Sequence, residues 1–422
     1  MTGPLQGITI VEFTQIIAAP FGGMLLSDMG ANVIKIEPIG GEPWRLHNEF
    51  IPKESKTYMG LNRGKKSIPL DLTAPESTEI ISRLISKSDV VIINSRPDVA
   101  QKLGIDYETL SKINPSLIYC DNTAFGRNGP DKNRPGYDII IQAMSGLMAS
   151  DNKIENGVPQ QITASAVADY STGITIAWGI CAALFSRERT GKGQKLETSL
   201  LSSALAIQGE FFEVDSHGMN ERKEFVDNIR LLRSAQVPYE SLLEERQNYI
   251  NRGPDFKTYY TTYQTKDQII AIGCLSNHLR KKAAEVIGLD DPRFRDNYDP
   301  SEDGLQSEFQ ILIETARKKI AEKDIAYWLR KFDEAGVPAG PVRFVEELFD
   351  DPQVLLNDNL IELCHEKAGK IKMFGPIIKM SETPLSPKIA SPPLGFHTDE
   401  ILKMLGYSDT EISKLKLNKI TE

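Results

Sequence analysis

Strands and helices alternate through the first third of this 422-residue chain, and this alternation restricts the fold more than any other feature. Ile8–Phe13 and Asn32–Glu37 are short runs rich in β-branched residues, which predicts two buried strands. The residues between them have helical spacing, with Pro20 in the first turn and Gly30 as a C-cap. The pattern predicts an α/β fold with a mostly parallel sheet. Further strands are predicted at Lys66–Leu70, Asp89–Asn94 and Ser116–Asp121.

The glycines of this first β-α-β unit do not have the spacing of a dinucleotide site. The turn after the first strand reads IIAAPFGG, which lacks the GxGxxG fingerprint. A later turn, GKGQK, is not a phosphate-binding Walker A loop, because its glycine spacing differs and no Ser or Thr follows the lysine. We therefore expect the parallel sheet without an NAD site.

Composition excludes several classes of protein. The formal charge of −9 argues against nucleic-acid binding, which needs a basic surface. We expect no membrane span, because the longest apolar run, Gly173–Phe185, is too short to cross a bilayer, and no signal peptide is visible. The cysteines are far apart and have no metal-binding spacing, so we expect no metal and a reducing, cytoplasmic location. They are Cys120, Cys181, Cys274 and Cys364.

Basic residues recur in the loops that follow or precede the predicted strands. In open α/β sheets, ligands bind where strands end, so successive cations there favour an anionic, phosphate-bearing ligand. The alternative for any one of them is a solvated surface charge. These residues are Arg45, Arg63, Lys65, Lys66, Arg96 and Lys102.

A second lobe is predicted after the sequence becomes charged and helix-rich at 208–252. A chain of this length is too long for one core. The second lobe would hold a hairpin within 258–274, a helix at Asn277–Ile287, and two more helices at Leu305–Ile320 and Lys323–Ala335.

Asp169 is the lone carboxylate in the otherwise small, apolar or hydroxylic segment 157–185. A buried helix is predicted from Ser171 onward, so one interpretation makes Asp169 its N-cap. The other makes it a nucleophile held where water is scarce. Similarly, Tyr137 and Asp138 lie at the start of a helix that Asp138 is predicted to cap. The segment alone favours the N-cap, because buried helices commonly start with such a residue.

An ordered set of motifs identifies a family. VIKIEP, NRGKKSIPLDL, NSRP, LGIDYETLSKINPSLIYC, GYDIIIQAMSG, RERTGKGQ, AGVPAGPV and LGFHTDEIL occur in this order over nearly the whole chain. Together with the Asp169 segment, they resemble the family III coenzyme A transferases, the CaiB/BaiF group that includes formyl-CoA transferase. The resemblance implies a Rossmann-like large lobe (1–215 and 345–422), a smaller α+β lobe (216–344), and a homodimer of interlocked rings.

The resemblance also implies a mechanism and a pocket. Asp169 would attack an acyl-CoA and form covalent aspartyl intermediates on the way to a carboxylic acid acceptor. Acyl-CoA and carboxylic acids would be the partners, without nucleic acid or membrane. The implied coenzyme A pocket comprises Ile17, Ala18, Leu70, Asp71, Leu72, Asn94, Ser95, Arg96, Lys102, Tyr137 and Asp138.

Three departures bear on the substrate. Formyl-CoA transferases carry glutamine where Ile17 stands and several glycines in a lid loop, whereas the matching Tyr249–Thr258 has only Gly253. This argues against oxalate as acceptor and favours a less polar acyl group. Racemases of the same fold have histidine at Tyr137, and a phenol is a poor base at neutral pH. An α-methylacyl-CoA racemase and a non-catalytic acyl-CoA-binding protein remain the alternatives to a transferase.

Overall fold

The computed structural model describes residues 3–422 apart from 152, 164, 210, 215–218, 251–257 and 301–303. The chain divides into two compact units. Unit 1 comprises Met1–His217 and Leu355–Glu422, and unit 2 comprises Gly218–Val354. The first unit is thus assembled from two separate stretches of sequence.

The strands and helices are numbered in chain order. The strands are β1 Thr9–Phe13, β2 Asn32–Glu37, β3 Glu49–Ile51, β4 Glu54–Ser55, β5 Lys66–Pro69, β6 Val90–Ile93, β7 Ile118–Thr123, β8 Ile154–Glu155, β9 Val158–Pro159, β10 Gln194–Ser199, β11 Tyr260–Gln264, β12 Ile269–Gly273, β13 Ala339–Pro341, β14 Leu360–His365 and β15 Gly369–Phe374. The helices are α1 Ala18–Asp28, α2 Pro43–Leu46, α3 Lys56–Met59, α4 Pro75–Ile85, α5 Pro97–Lys102, α6 Tyr107–Ile113, α7 Asp138–Ser145, α8 Leu147–Ser150, α9 Val167–Thr190, α10 Leu200–Ala206, α11 Met219–Ser234, α12 Tyr239–Ile250, α13 Asn277–Ile287, α14 Leu305–Ala321, α15 Ile325–Ala335, α16 Pro352–Leu356, α17 Thr398–Met404 and α18 Asp409–Leu417.

Within the described residues, six strands of unit 1 form one sheet in the order β10-β7-β6-β1-β2-β5. Every neighbouring pair is parallel, so the predicted α/β fold with a parallel sheet is confirmed. Alternate side chains enter two different cores: Ile10 packs with α1 and α9, whereas Val11 packs with α4, α6, α17 and α18. Helices therefore cover both faces, so even the charged side chains of these strands, Glu12 and Lys35, are fully buried and lie 3.4 Å apart as an ion pair.

The strand order reverses beside β1. The chain runs from β1 outward to β2 and β5, and then returns to the other side of β1 as β6. The loops after β1 and β6 consequently diverge at the carboxyl edge of the sheet, and such a reversal opens a crevice in α/β folds.

Residues near 420 complete the sheet that begins near residue 9. Thr421 pairs with Leu70 in an isolated antiparallel bridge, and its hydroxyl donates to the carbonyl of Pro69 at 2.6 Å. The later residues Ile401, Leu402, Leu405, Ile412, Leu415 and Ile420 belong to the same core as β1 and β6.

Several of the cations that were interpreted as ligands for an anion are instead buried in ion pairs. The Arg45 Nε lies 2.7 Å from Glu37, the Arg63 Nε donates to Asp28 at 2.9 Å, and the Lys65 Nζ lies 2.7 Å from Glu12. All three side chains are fully buried. That interpretation is therefore wrong for these residues, because a buried charge needs a fixed opposite charge.

Unit 2 has its own core. The predicted hairpin is present as β11 and β12, and β13 adds a third antiparallel strand. Helices α13, α14 and α15 pack on this sheet around Trp328 and Phe332. The predicted helix Asn277–Ile287 is confirmed at both ends.

Helix α9 is the one helix in the described ranges that is long and apolar enough to span a membrane, a length that the apolar run Gly173–Phe185 did not indicate. Half of its apolar window is buried within the protein, where it packs on α1 and the sheet. A central core helix meets the same length criterion, and packing accounts for its composition.

Candidate active site

A cavity of about 420 Å³ lies at the carboxyl ends of β1, β6 and β7, where the strand order reverses. The loops after these strands supply most of its wall, and Asp169 of α9 closes one side. The predicted pocket residues brought together here are Ile17, Ala18, Asn94, Ser95, Arg96 and Tyr137.

Asp169 is the third residue of α9, and its side chain is almost entirely buried, with 7% exposed. Burial and, to a smaller extent, the negative charge of Asp138 together raise the pKa of this carboxyl to about 7. The backbone N–H of Ala18 opposes both effects, because it favours the ionised carboxylate and so lowers the pKa. The group is thus an acid that ionises near neutral pH, as catalytic carboxylates often do.

Asp138 caps α9, which the sequence did not predict. One of its carboxylate oxygens accepts the N–H groups of Ala168 at 2.7 Å and Asp169 at 3.2 Å. Gln142 donates to the other oxygen, and itself accepts the N–H of Ile162. The predicted capping of its own helix α7 by Asp138 is wrong, because its oxygens are aimed at a different helix.

The capping interpretation of Asp169 is also wrong. Helix α9 begins at Val167 rather than Ser171, and its N-cap is Ala166, which makes no side-chain cap. Since Asp138 satisfies the orphan N–H groups, the Asp169 side chain is not needed for this purpose. Its carboxylate is therefore left for the cavity.

Glycines bring α1 and α9 close together. A Cβ on Gly173 would lie 2.7 Å from both the carbonyl oxygen of Ala18 and the Cδ1 of Phe21. A Cβ on Gly22 would lie 2.8 Å from the Cγ2 of Ile176. The two helices therefore cross at backbone distance, and this crossing places Ala18 beside Asp169.

A second cavity of about 700 Å³ adjoins the first and shares Val99 with it. Leu72 and Lys102 line it. Leu70 and Asp71 line neither cavity: Leu70 belongs to the core, and the Asp71 carboxylate accepts bonds from Thr73. Asp138 likewise lies behind the first cavity rather than in its wall.

Two charged residues of the wall were not predicted from the sequence. Lys132 and Arg134 line the first cavity from the glycine- and proline-rich loop before α7. Their only signal was a pair of cations just ahead of Tyr137. The predicted lid at Tyr249–Thr258 falls largely on 251–257, outside the described residues. Across the described ranges, no group of three His, Cys, Asp or Glu side chains is placed to hold a metal.

Known proteins place this chain in a family. A family model described as CoA-transferase family III matches residues 5–398. The chain is 32% identical to the succinyl-CoA:glutarate CoA-transferase of Mus musculus, over 99% of this chain and 90% of that protein. It is also 32% identical to the acetyl-CoA:oxalate CoA-transferase of Acetobacter aceti, over 92% of this chain and 93% of that protein.

Solved structures agree with these sequence matches. A CaiB/BaiF family protein from Brucella suis superposes with a TM-score of 0.72 at 28% identity, covering 96% of this chain and all of that one. A protein from Mycobacterium tuberculosis superposes with a TM-score of 0.74 at 25% identity, over 95% and 99% of the two chains. The chain belongs to CoA-transferase family III, and the CoA-transferase activity predicted from its motifs is confirmed.

Proposed function

We propose that Asp169 is the nucleophile of this transferase. Its carboxylate attacks the carbonyl carbon of the acyl-CoA donor, the C–S bond breaks, and CoA leaves as the thiolate. The thiolate then attacks the aspartyl carbonyl of the resulting anhydride, which releases the donor acid and leaves an aspartyl-CoA thioester. The acceptor carboxylate attacks this thioester and forms a second anhydride as CoA leaves as the thiolate. The thiolate then attacks the acceptor's carbonyl carbon, which releases the acceptor's acyl-CoA and restores the Asp169 carboxylate. The observation that carries this proposal is a buried carboxylate at the wall of the cavity, free of any capping role.

The surroundings of Asp169 suit this chemistry. A carboxylate that is largely shielded from water is a stronger nucleophile, and anhydrides survive only where water is excluded. The first N–H groups of α1 lie beside the reacting atoms and carry the positive end of the helix dipole. Such donors stabilise the oxyanion of each tetrahedral intermediate.

The two adjoining cavities support a bound CoA. We place its thiol end in the cavity of Asp169 and its nucleotide end in the cavity of Leu72 and Lys102. The Lys102 side chain is 78% exposed, and its Nζ is held only by a long 4.0 Å ion pair with the Asp98 carboxylate. It is therefore available to a phosphate. The buried Ser95 hydroxyl, which has no partner among the described residues, faces the same route. Leu70 and Asp71 would act through the backbone of the loop that carries Leu72.

We propose dicarboxylic acids longer than oxalate as the substrates. Relatives are named for glutarate, oxalate and L-malate. Lys132 and Arg134 supply positive charge in the Asp169 cavity for a second carboxylate, whereas the apolar Ile17 suits methylene groups beside the reacting one.

Trapping the covalent intermediate tests the nucleophile. When donor is supplied without acceptor, the aspartyl species should accumulate, because the second half-reaction has no partner. Hydroxylamine should then convert Asp169 to a hydroxamate, seen by mass spectrometry only on the peptide containing AVADYSTG. Asp169→Asn, which is isosteric but cannot attack, should give no label. A donor-dependent label on any other residue would contradict the proposal.

The same trapped enzyme tests the acid class. Added glutarate or succinate should discharge the species and remove the label faster than oxalate or butyrate. Faster discharge by butyrate would show that the second carboxylate is not recognised.

We propose a cytoplasmic homodimer of interlocked rings, as the family resemblance implies. An exposed apolar stripe on α9 supports a partner surface: Ile174, Trp178 and Phe185 all face outward, with Trp178 72% exposed. The cysteines are unpaired thiols in the described structure, which supports a reducing compartment.

A further inference from the structure

The loop between β1 and α1 holds a strained backbone next to Asp169. Ile16 has a φ of 72°, in the left-handed region, which a β-branched residue adopts only at a cost. Ile17 follows with φ −122° and ψ −65°, also outside the regular wells. Such strain persists only when the surrounding groups fix it.

Side-chain hydrogen bonds fix this loop residue by residue. Glu42 accepts the N–H of Ile16 at 2.8 Å, and its other oxygen lies 2.9 Å from the Nζ of Lys35. Lys35 in turn donates to the carbonyl of Thr14 at 2.8 Å. Both charged side chains are fully buried. On the other side, Asn94 accepts the N–H of Gln15 at 3.1 Å and donates to its carbonyl at 2.8 Å.

This loop determines where α1 begins and which donors it offers. Ile17 is the N-cap and makes no side-chain cap, so the first N–H groups remain available. Pro20 has no N–H, which leaves Ala18 and Ala19 as the donors of the first three positions. Ala18 and Asp169 line the same cavity where α1 and α9 cross at backbone distance, and the Ala18 N–H lowers the pKa of the Asp169 carboxyl.

We propose that Glu42 is a positioning residue for the transfer reaction. By holding the Ile16 N–H, it keeps the loop in its left-handed conformation and aims the Ala18 N–H at the reacting carboxylate. Glu42 itself does not line the cavity. This role rests on the proposed nucleophile Asp169, and it predicts a loss in kcat without a matching rise in the donor KM, since Glu42 does not contact substrate.

A double-mutant cycle with Ile16→Gly tests this role. Without Glu42, Ile16 can relax out of the left-handed region, and the Ala18 N–H then moves away from its position beside Asp169. This misplacement should lower kcat about tenfold. Glycine adopts positive φ freely, so the loop of the Ile16→Gly variant keeps its conformation without the hydrogen bond to Glu42. Glu42→Ala should therefore cost no more than about threefold in kcat when it is added to Ile16→Gly. Equal losses in the two backgrounds would overturn the proposal.

The pH profile supplies a second readout. The Ala18 N–H lowers the pKa of Asp169, so its misplacement in Glu42→Ala should move the acid limb of kcat/KM to higher pH. The titratable and charged groups around Asp169 that stay unchanged in this variant are Asp138, Tyr170, Arg96, Lys132, Arg134 and Tyr137.

Glu54→Gln is the matched control. Glu54 is equally buried and lies 3.4 Å from Arg45, but it holds no part of the 14–17 loop. Glu54→Gln should leave the acid limb of kcat/KM in place, and its effect on kcat should be the same with and without Ile16→Gly. A shift of the acid limb in Glu54→Gln would show that the loss of any buried charge causes the shift, and this would overturn the positioning role.

Two further measurements settle the remaining outcomes. If Glu42→Ala does not fold, the cycle is run with Glu42→Gln, which keeps the volume and one acceptor oxygen. Its loss of kcat should be smaller, and it should shrink further in the Ile16→Gly background. Equal losses of kcat in the two backgrounds again overturn the proposal. Hydroxylamine labelling is run on the wild type in parallel. No label overturns the nucleophile and the positioning role together, whereas a label with equal deficits overturns the positioning role alone.

Discussion

Asp169 and Asp138 divide two tasks that a single carboxylate often performs at a helix start. Asp138 takes the orphan N–H groups of α9, and Asp169 keeps its oxygens for the cavity. Placing a second negative charge nearby also disfavours ionisation of Asp169. Burying this carboxyl beside Asp138 therefore lowers the stability of the folded protein at pH values where Asp169 is ionised.

This cost gives a pH-dependent prediction. The folded pKa of Asp169 is about 7 and its ordinary value is 3.8, so the folded state holds a proton that the unfolded state has released. Stability should fall as pH rises from about 4 to 7. Asp169→Asn should thus be more stable than the wild type by roughly 2–4 kcal/mol at pH 8, with little difference at pH 4. Denaturant unfolding at the two pH values measures this, and a constant difference would contradict the buried ionisation.

At the level of single residues, the sequence singled out Asp169 because one carboxylate stood in an apolar segment. It did not reveal Asp138 as the cap, because that hydrogen bond joins residues 30 positions apart. It also mistook Arg45, Arg63 and Lys65 for ligand-binding groups. Arg63 and Lys65 pair with Asp28 and Glu12, which lie 35 and 53 positions away, whereas Arg45 pairs with Glu37 only eight positions away. In each case only the folded chain shows that both charges are buried together.

Among the elements, the crossing of α1 and α9 at Gly22 and Gly173 sets the distance between donor and nucleophile. Gly173→Ala should force the helices apart, because its Cβ would lie 2.7 Å from the Ala18 carbonyl oxygen, a backbone atom. We expect about 1–3 kcal/mol lower stability and a lower kcat.

Gly179→Ala in the same helix is the control for this prediction. Its Cβ would meet only the Cδ1 of Leu196, at 3.8 Å, so it should be neutral or stabilising by up to about 1 kcal/mol. Equal effects of the two substitutions on kcat and on unfolding would show that the close crossing is not needed for activity.

Strand positions were the most predictable elements. Asn32–Glu37 matches its prediction at both ends, because its β-branched residues Val33, Ile34 and Ile36 lie between the turn residues Gly30 and Pro38. The start of α9 was placed four residues late, since the residues of its first turn are small and hydroxylic rather than apolar. Periodicity begins only where the helix meets the core, and it does not detect a first turn that faces a cavity.

For the whole molecule, the pairing of Leu70 with Thr421 provides a direct test of the interlocked dimer. Neighbouring residues across an antiparallel pair lie at a distance that a disulfide can bridge. Leu70→Cys with Thr421→Cys should therefore close each chain into a ring. If two such rings are linked, the oxidised protein should run as a dimer in SDS, at twice the 47.0 kDa chain mass, and as a monomer after reduction.

The single substitutions are the controls for the linked rings. Leu70→Cys alone and Thr421→Cys alone close no ring and should run as monomers in SDS without reductant. A single proteolytic cut in one ring of the oxidised double variant should release an intact partner ring. An oxidised double variant that is fully monomeric in SDS would rule out interlocking.

The contribution of residues 401–420 to the core of β1 and β6 also sets an order of events during synthesis. At roughly 5–20 residues per second, a ribosome needs about 15–60 s to travel from β7 to residue 420. Throughout this interval, the face of the sheet that carries Val91 and Ile93 has α4 and α6 but still lacks α17 and α18. If the dimer is interlocked as proposed, this delay leaves time for two growing chains to thread before residue 421 reaches β5 and closes each ring.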